Sequence, residues 1–195
     1  MKHLRTATLS SDAEINEAIA TLVLAFAADP FARWMYRAPD QYLRHIPRLF
    51  RALGADSFEA RATHRSADGA GVAIWFPPGV HGDNALVEVA IADSVGRDLQ
   101  GDVGAVFDMT DHYRPSEPHW YLSLIGVEPV HRNKGYGSAL LAHTLHQCDS
   151  EHQTAYLWSS NQQNLSLYQK HGFEVVTTIQ VGSSPSIFPM LRRSR

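Results

Sequence analysis

The sequence predicts an α/β (α+β) domain in which strands and helices interleave, and three observations carry that reading. Residues 119–127 alternate as a half-buried strand that ends at Glu128-Pro129. A short basic turn with two glycines follows, Arg132-Asn-Lys-Gly135-Tyr-Gly137. Leu140, Leu141, Thr144, Leu145 and Cys148 then recur at helical spacing.

Residues 3–9 read as a first strand. Ser11-Asp12 caps a helix with an apolar face of Ile15, Ala18, Ile19, Leu22, Val23 and Phe26, and Pro30 ends it. Phe31 to Tyr36 is a connection rich in aromatics. Asp40 to Leu53 is a second helix, with Pro47 as a kink or break. Ser57–Arg65 and Gly71–Phe76 are strands joined by a hairpin turn at 66–69. Asn84 to Leu99 carries a helical face (Leu86, Val89, Ala90, Val95), and Val103–His112 is another helix, with Gly101 and Gly104 blurring the boundary. Residues 83–117 serve either as a substrate lid or as padding. Beyond the central stretch, Thr154–Ser160 is a strand and Asn161–His171 a short helix stopped by Gly172. Phe173–Val181 and Ile187–Arg192 close the chain as a hairpin.

The 195 residues fit a single domain, 1–195, able to bury a core without staples. A net charge of -3, a pI near 6.4 and no basic stripe exclude a nucleic-acid partner. The single cysteine excludes an internal disulfide and suits a reducing compartment. No apolar run reaches the roughly eighteen residues of a membrane span, and the N-terminus has no signal-like core, so the expectation is a cytoplasmic protein with no membrane partner. A homodimer is compatible with all of this.

Strand, glycine turn and helix together make an anion site, because unpaired N–H groups at a helix start point at whatever lies above them. A nucleoside triphosphate loop is excluded, since Lys134 precedes the glycines, and a dinucleotide fingerprint would need glycine where Leu140 stands. Arg132-x-x-Gly135-x-Gly137, placed after Gly126-Val127-x-Pro129 and before Asn164-x3-Tyr168 and Gly172-Phe173, resembles the GNAT superfamily of N-acetyltransferases. The resemblance is strongest over 119–181. Val72–Gly79, Trp120-x-Leu122 with Gly126-Val127-x-Pro129, and the closing segment look most like the puromycin N-acetyltransferase branch.

The resemblance implies the GNAT fold: one mixed, mostly antiparallel sheet with splayed central strands and helices on both faces. It implies acetyl-CoA as co-substrate, with the pyrophosphate held by backbone N–H groups over Arg132, Asn133, Lys134, Gly135, Tyr136, Gly137 and Ser138. Ile125, Gly126 and Val127 would pair with the pantetheine arm, the Val127 N–H meeting the acetyl oxygen. Asn164 would contact the pantetheine or the turn, and Tyr168 would protonate the leaving thiolate. Phe31 and Trp34 either wall the acceptor pocket or pack as core, and Tyr121 faces the acceptor.

The general base is the least defined role. Strand alternation puts His119, Tyr121, Ser123, Ile125 and Val127 on one face. Relatives with a His or Glu base on this strand place it where Tyr121 or Ser123 stands here. A water relayed through Ser123, Tyr121 and His119 is the preferred route, with Glu128 or no enzyme base as alternatives. His143, His146, His152 and Cys148 resemble scattered metal ligands, but a helix turns them to different faces, so no metal is expected. Cys148 on an apolar face is no nucleophile, and Arg192-Arg193-Ser-Arg195 reads as a solvated tail.

The function expected is transfer of an acetyl group from acetyl-CoA to the amine of a small molecule, by direct attack in a ternary complex. A protein or peptide N-acetyltransferase would need a long open groove. A non-catalytic acetyl-CoA-binding module is the alternative from another class, to which a missing strand base is a pointer and Tyr168 a counter-pointer.

Overall fold

The computed structural model describes residues 6–9 and 11–195. Of the strand expected over residues 3–9, β1 (Thr6–Thr8) is seen, and residues 3–5 lie outside the described residues. Ser11 caps α1 (Asp12–Ala25) as expected, its Oγ accepting the Glu14 N–H at 3.3 Å. Ala18, Ile19 and Leu22 of the expected face are buried.

Pro30 does not end that helix; it opens another, α2 (Pro30–Met35). Its fixed φ suits the first helical position, and Asp29 Oδ1 accepts the N–H groups of Phe31 and Ala32, both at 3.0 Å. The expected aromatic connection is therefore mostly helix. The next helix, α3 (Pro39–Glu59), runs on past Pro47 and takes in Ser57–Glu59, which the sequence had suggested as strand. Inside it Ser57 is buried, its Oγ 2.8 Å from Thr63 Oγ1. The strand β2 is correspondingly short, Thr63–Ser66. The turn to β3 (Gly71–Phe76) falls where expected, with Gly69 at φ 74.

The 83–117 segment is two helices, α4 (Asn84–Ser94), capped by Asp83, and α5 (Arg97–His112). The break falls at Val95-Gly96, earlier than expected, and Gly101 and Gly104 sit inside α5 with open space beside them. Then come β4 (His119–Val127), a 3-10 turn at Pro129–His131, α6 (Tyr136–Ser150) and β5 (Thr154–Ser159). The short helix divides into a 3-10 turn, Gln162–Asn164, and α7 (Leu165–Lys170). The closing hairpin is reduced to β6 (Glu174–Val175), one bridge between Ile179 and Ile187, and β7 (Phe188–Arg192).

The sheet runs β1-β2-β3-β4-β5-β7-β6, and every pair is antiparallel except β4 with β5. Two apolar layers cover it. Leu22, Phe31, Leu49, Val103 and Val106 pack with Val72, Ile74 and Phe76 on one face. Leu140, Leu141, Leu145 and Tyr168 pack with Ala73 and Trp75 on the other. The expected mixed sheet with helices on both faces is what folds.

One irregularity shapes the centre. Ile74 pairs with Leu124 but Trp75 pairs with Leu122, so Ser123 is an extra residue, a β-bulge. A one-residue insertion in a period of two exchanges the faces. Trp120 and Leu122 lie in the α6 layer while Tyr121 packs against the α1–α5 layer; beyond the bulge Leu124 joins the α1–α5 layer and Ile125 packs against the α6 layer. The expectation that His119, Tyr121, Ser123, Ile125 and Val127 share one face is therefore corrected: simple alternation cannot show a bulge. At the same point β4 leaves β5. Their pairing runs from His119 with Thr154 to Leu122 with Leu157 and stops, which is the expected splay.

Candidate active site

Where β4 and β5 part, the β4 edge from Ser123 to Val127 has no partner strand on the β5 side among the described residues. The Glu128 N–H reaches Ala70 O on the β3 side at 2.9 Å, so the N–H groups of Val127 and Ile125, odd in the alternation, turn toward the gap. A cavity opens there. Ile125, Leu157, Ser159, Asn164 and Tyr168 line it at the gap, and Phe26, Phe31, Phe50 and Phe107 line it on the α1–α5 side. It thus reaches both layers of the protein through the bulge.

The glycine turn stands at the start of α6. Asn133 (φ 61) and Gly135 (φ 88) are both left-handed, and a Cβ on Gly135 would meet nothing within 4 Å. The turn needs glycine there for its φ, and the space above it is open. The Ala139 N–H reaches Gly135 O at 3.0 Å, so the N–H groups of Tyr136, Gly137 and Ser138 have no carbonyl inside α6 to reach. Successive free N–H groups at a helix start are the geometry that an anion site needs.

The side chains of the turn are held by the protein. Arg132 donates to Ala25 O at 2.6 Å, at the carbonyl end of α1, and Lys134 donates to Val130 O at 2.9 Å. Tyr136 donates to Asp68 Oδ2 at 2.5 Å, tying the turn to the β2–β3 hairpin and drawing the Asp68 carboxyl below its usual range. Ser138 Oγ lies 2.6 Å from His171 Nε2. Gly137 is close to α7, since a Cβ would come 3.2 Å from Leu167 Cδ2. Gly126 has a different reason to be glycine: a Cβ would come 2.6 Å from Ala25 Cβ, so its bare side seats α1 on the sheet.

Tyr168 is buried on α7 and lines the cavity together with Asn164. Burial, and then the charge of Asp29, raise its pKa, so the hydroxyl holds its proton at any physiological pH. Phe31 and Tyr121 also line the cavity, with the Arg114 guanidinium 4.1 Å over the Tyr121 ring. Trp34 does not: its indole N–H donates to Ser183 Oγ at 3.1 Å. Ser123 Oγ donates to Leu53 O at 3.1 Å. His119 is not among the lining residues. It begins β4 with Nδ1 2.8 Å from Glu117 O and its ring 6.3 Å from that of Tyr156, and burial lowers its pKa. His119→Ala is therefore expected to leave kcat/KM within about twofold, the size of a substitution away from a site. Loss of an acid-side limb in the pH profile of that variant would restore its place in the relay.

Sequence reasoning missed Asp29 and Ser160, which both line the cavity. The signal was present: an aspartate before proline is a helix start, and reading Pro30 as a stop concealed it. Among the described residues no three His, Cys, Asp or Glu side chains gather as metal ligands. Burial pushes the Cys148 thiol up to about 12. Arg192 is not tail: it is buried, paired with Asp149 at 2.7 Å and donating to His171 O at 2.8 Å. Among the described residues no helix is long and apolar enough to cross a membrane.

A mixed sheet parted at β4 and β5, with a glycine turn opening the following helix, is the GNAT fold. Residues 83–173 match the model of the acetyltransferase (GNAT) family. The matched segment takes in β4, the glycine turn, α6 and Tyr168. An uncharacterized N-acetyltransferase of Schizosaccharomyces pombe is 25% identical over 182 residues, spanning 82% of this chain and 70% of that one. The structure of histone acetyltransferase HPA2 and related acetyltransferase from Corynebacterium glutamicum superposes with a TM-score of 0.70 at 25% identity, covering 99% of this chain and 97% of that one. Arylalkylamine N-acetyltransferase 2 from Aedes aegypti superposes with a TM-score of 0.66 at 12% identity, covering 97% and 98%.

Proposed function

We propose that the chain is an acetyl-CoA-dependent N-acetyltransferase that acetylates the amine of a small molecule by direct attack in a ternary complex. The observation that carries this reading is the single cavity joining the unpaired β4 edge to an apolar chamber beyond the bulge. Donor and acceptor can meet there without a covalent enzyme intermediate.

Each group has a task in this reading. The free N–H groups at 136–138 hold the pyrophosphate, aided by the α6 N-terminus. The β4 edge over Ile125 to Val127 pairs with the pantetheine arm as an added strand would. The Val127 N–H stabilises the carbonyl oxygen as it becomes an oxyanion, and Tyr168 protonates the departing thiolate. Phe31 of α2 and Phe107 of α5 wall the acceptor side, which favours a compact amine over an extended peptide. The likeness of Val72–Gly79 to the puromycin branch points the same way.

The test is release of CoA thiol from acetyl-CoA across a panel of small amines and of peptides with free N-termini. Release with small amines is expected. Release with peptides alone would shift the reading to a peptide acetyltransferase, and coenzyme binding without any release would shift it to a sensing module.

A further inference from the structure

Asp29 is an ionisable group that neither the anion turn nor the thiolate acid accounts for. Among the described residues lining the cavity there is no Lys, Arg or His, and Asp29 is the one carboxyl. Its Oδ1 is occupied by the Phe31 and Ala32 N–H groups, at 3.0 Å each. Its Oδ2 accepts from Ser160 Oγ at 2.7 Å and keeps a further lone pair. Around it lie the aromatic rings of Phe31, Phe107 and Trp158, mutually packed at 5.5 to 6.0 Å between centroids. Loss of water raises the carboxyl above its ordinary range, against the hydrogen bonds from Ser160, Ala32 and Phe31. The titratable groups near it are Tyr168 of α7 and Tyr42 of α3, both of which feel its charge. Arg33 of α2 lies 5.4 Å over the Tyr42 ring and donates to Arg37 O.

Resting on the acetyltransferase reading, we propose that the acceptor is a primary amine on an apolar, carboxylate-free body, and that Asp29, steadied by Ser160, anchors its ammonium and takes its proton. An ammonium in an otherwise apolar chamber needs an opposite charge, and Asp29 supplies one. An acceptor with its own carboxylate would bring a second negative charge with no cation among the described lining residues to meet it.

The protons balance. The ammonium gives one proton to Asp29, and the freed lone pair attacks the thioester carbonyl carbon to form the C–N bond. The C–S bond breaks with its electron pair on sulfur, which takes a proton from Tyr168. The nitrogen sheds its second proton, which through water replaces the one lost by Tyr168, and Asp29 returns its own to solvent. Burial narrows the gap between the two groups, since desolvation raises a carboxyl and lowers an ammonium.

The experiment compares wild type, Asp29→Asn and Ser160→Ala on phenylethylamine, phenylalanine and phenylalanine amide. Asparagine is as good a helix cap as aspartate, so the fold is expected to survive. The wild type should favour phenylethylamine and the amide over phenylalanine by at least about a hundredfold in kcat/KM. Asp29→Asn should lower kcat/KM on phenylethylamine by about a hundredfold or more, narrow the preference against phenylalanine, and keep the acetyl-CoA-dependent rise in Tm. The wild-type profile should fall as pH drops through the Asp29 pKa, and the Asn variant should lack that limb. Ser160→Ala should show a smaller loss. Wild-type-like rates in Asp29→Asn, phenylalanine used as well as phenylethylamine, or coenzyme binding with none of the three acetylated would each overturn the proposal. Absence of coenzyme binding in the wild type would instead overturn the acetyltransferase reading beneath it.

Discussion

Gly135→Val removes most of the acetyl-CoA-dependent rise in melting temperature. Coenzyme at about a hundredfold above its Kd stabilises the folded state by roughly 2.7 kcal/mol. That gain depends on a phosphate reaching the N–H groups at the start of α6. At φ 88 a β-branched residue is strained, and its methyl groups enter space that no protein atom occupies. The strain lowers the stability of the unliganded variant by about 1–2 kcal/mol, and the methyls block the phosphate. Gly135→Ala separates the two effects, carrying the strain with less bulk, and should keep part of the ligand shift. Thermal melts with and without acetyl-CoA measure both. A full ligand shift in the Val variant would mean that the turn does not hold the pyrophosphate.

Tyr168→Phe leaves the fold and the coenzyme shift in place and lowers kcat by about 10²–10⁴-fold. The side chain is 5% exposed and packs edge-on against Phe173 at 6.2 Å, contacts that phenylalanine keeps. What goes is the proton donor. The raised pKa fixes the sign of the pH response: the hydroxyl stays protonated through the ordinary tyrosine range, so the acid is not lost as pH rises toward 10. A fall of less than about tenfold in the variant would assign the hydroxyl to positioning.

Much of this was legible from local patterns. The β4 strand was read from alternation with its observed limits, the α6 core face from helical spacing, and the turn from two glycines between them. Three features were hidden, each for a physical reason. Pro30 carries the same residue signal at a helix start as after a helix end, and it is Asp29, through its hydrogen bonds, that decides between them. The bulge at Ser123 is a mismatch between two strands, so it exists only in the pairing with β3 and not in β4 alone. With the bulge unseen, the relay through Ser123, Tyr121 and His119 looked continuous along one face. Arg192 reads as part of a basic tail because its partner, Asp149, is brought to it by the fold from 43 residues away. The strand, the glycine turn and the helix after it were thus legible because one contiguous stretch builds them. The far side of the cavity is assembled from separate helices, α2, α3 and α5 among them, and was not.

The central claim is that donor and acceptor meet in one cavity and react directly. Initial-rate kinetics with acetyl-CoA and phenylethylamine varied together test it most directly. Intersecting double-reciprocal lines, with CoA release requiring both substrates, are the expected result. Parallel lines, together with CoA released by acetyl-CoA alone in a burst equal to the enzyme, would mean that the protein takes the acetyl group first and would contradict the account.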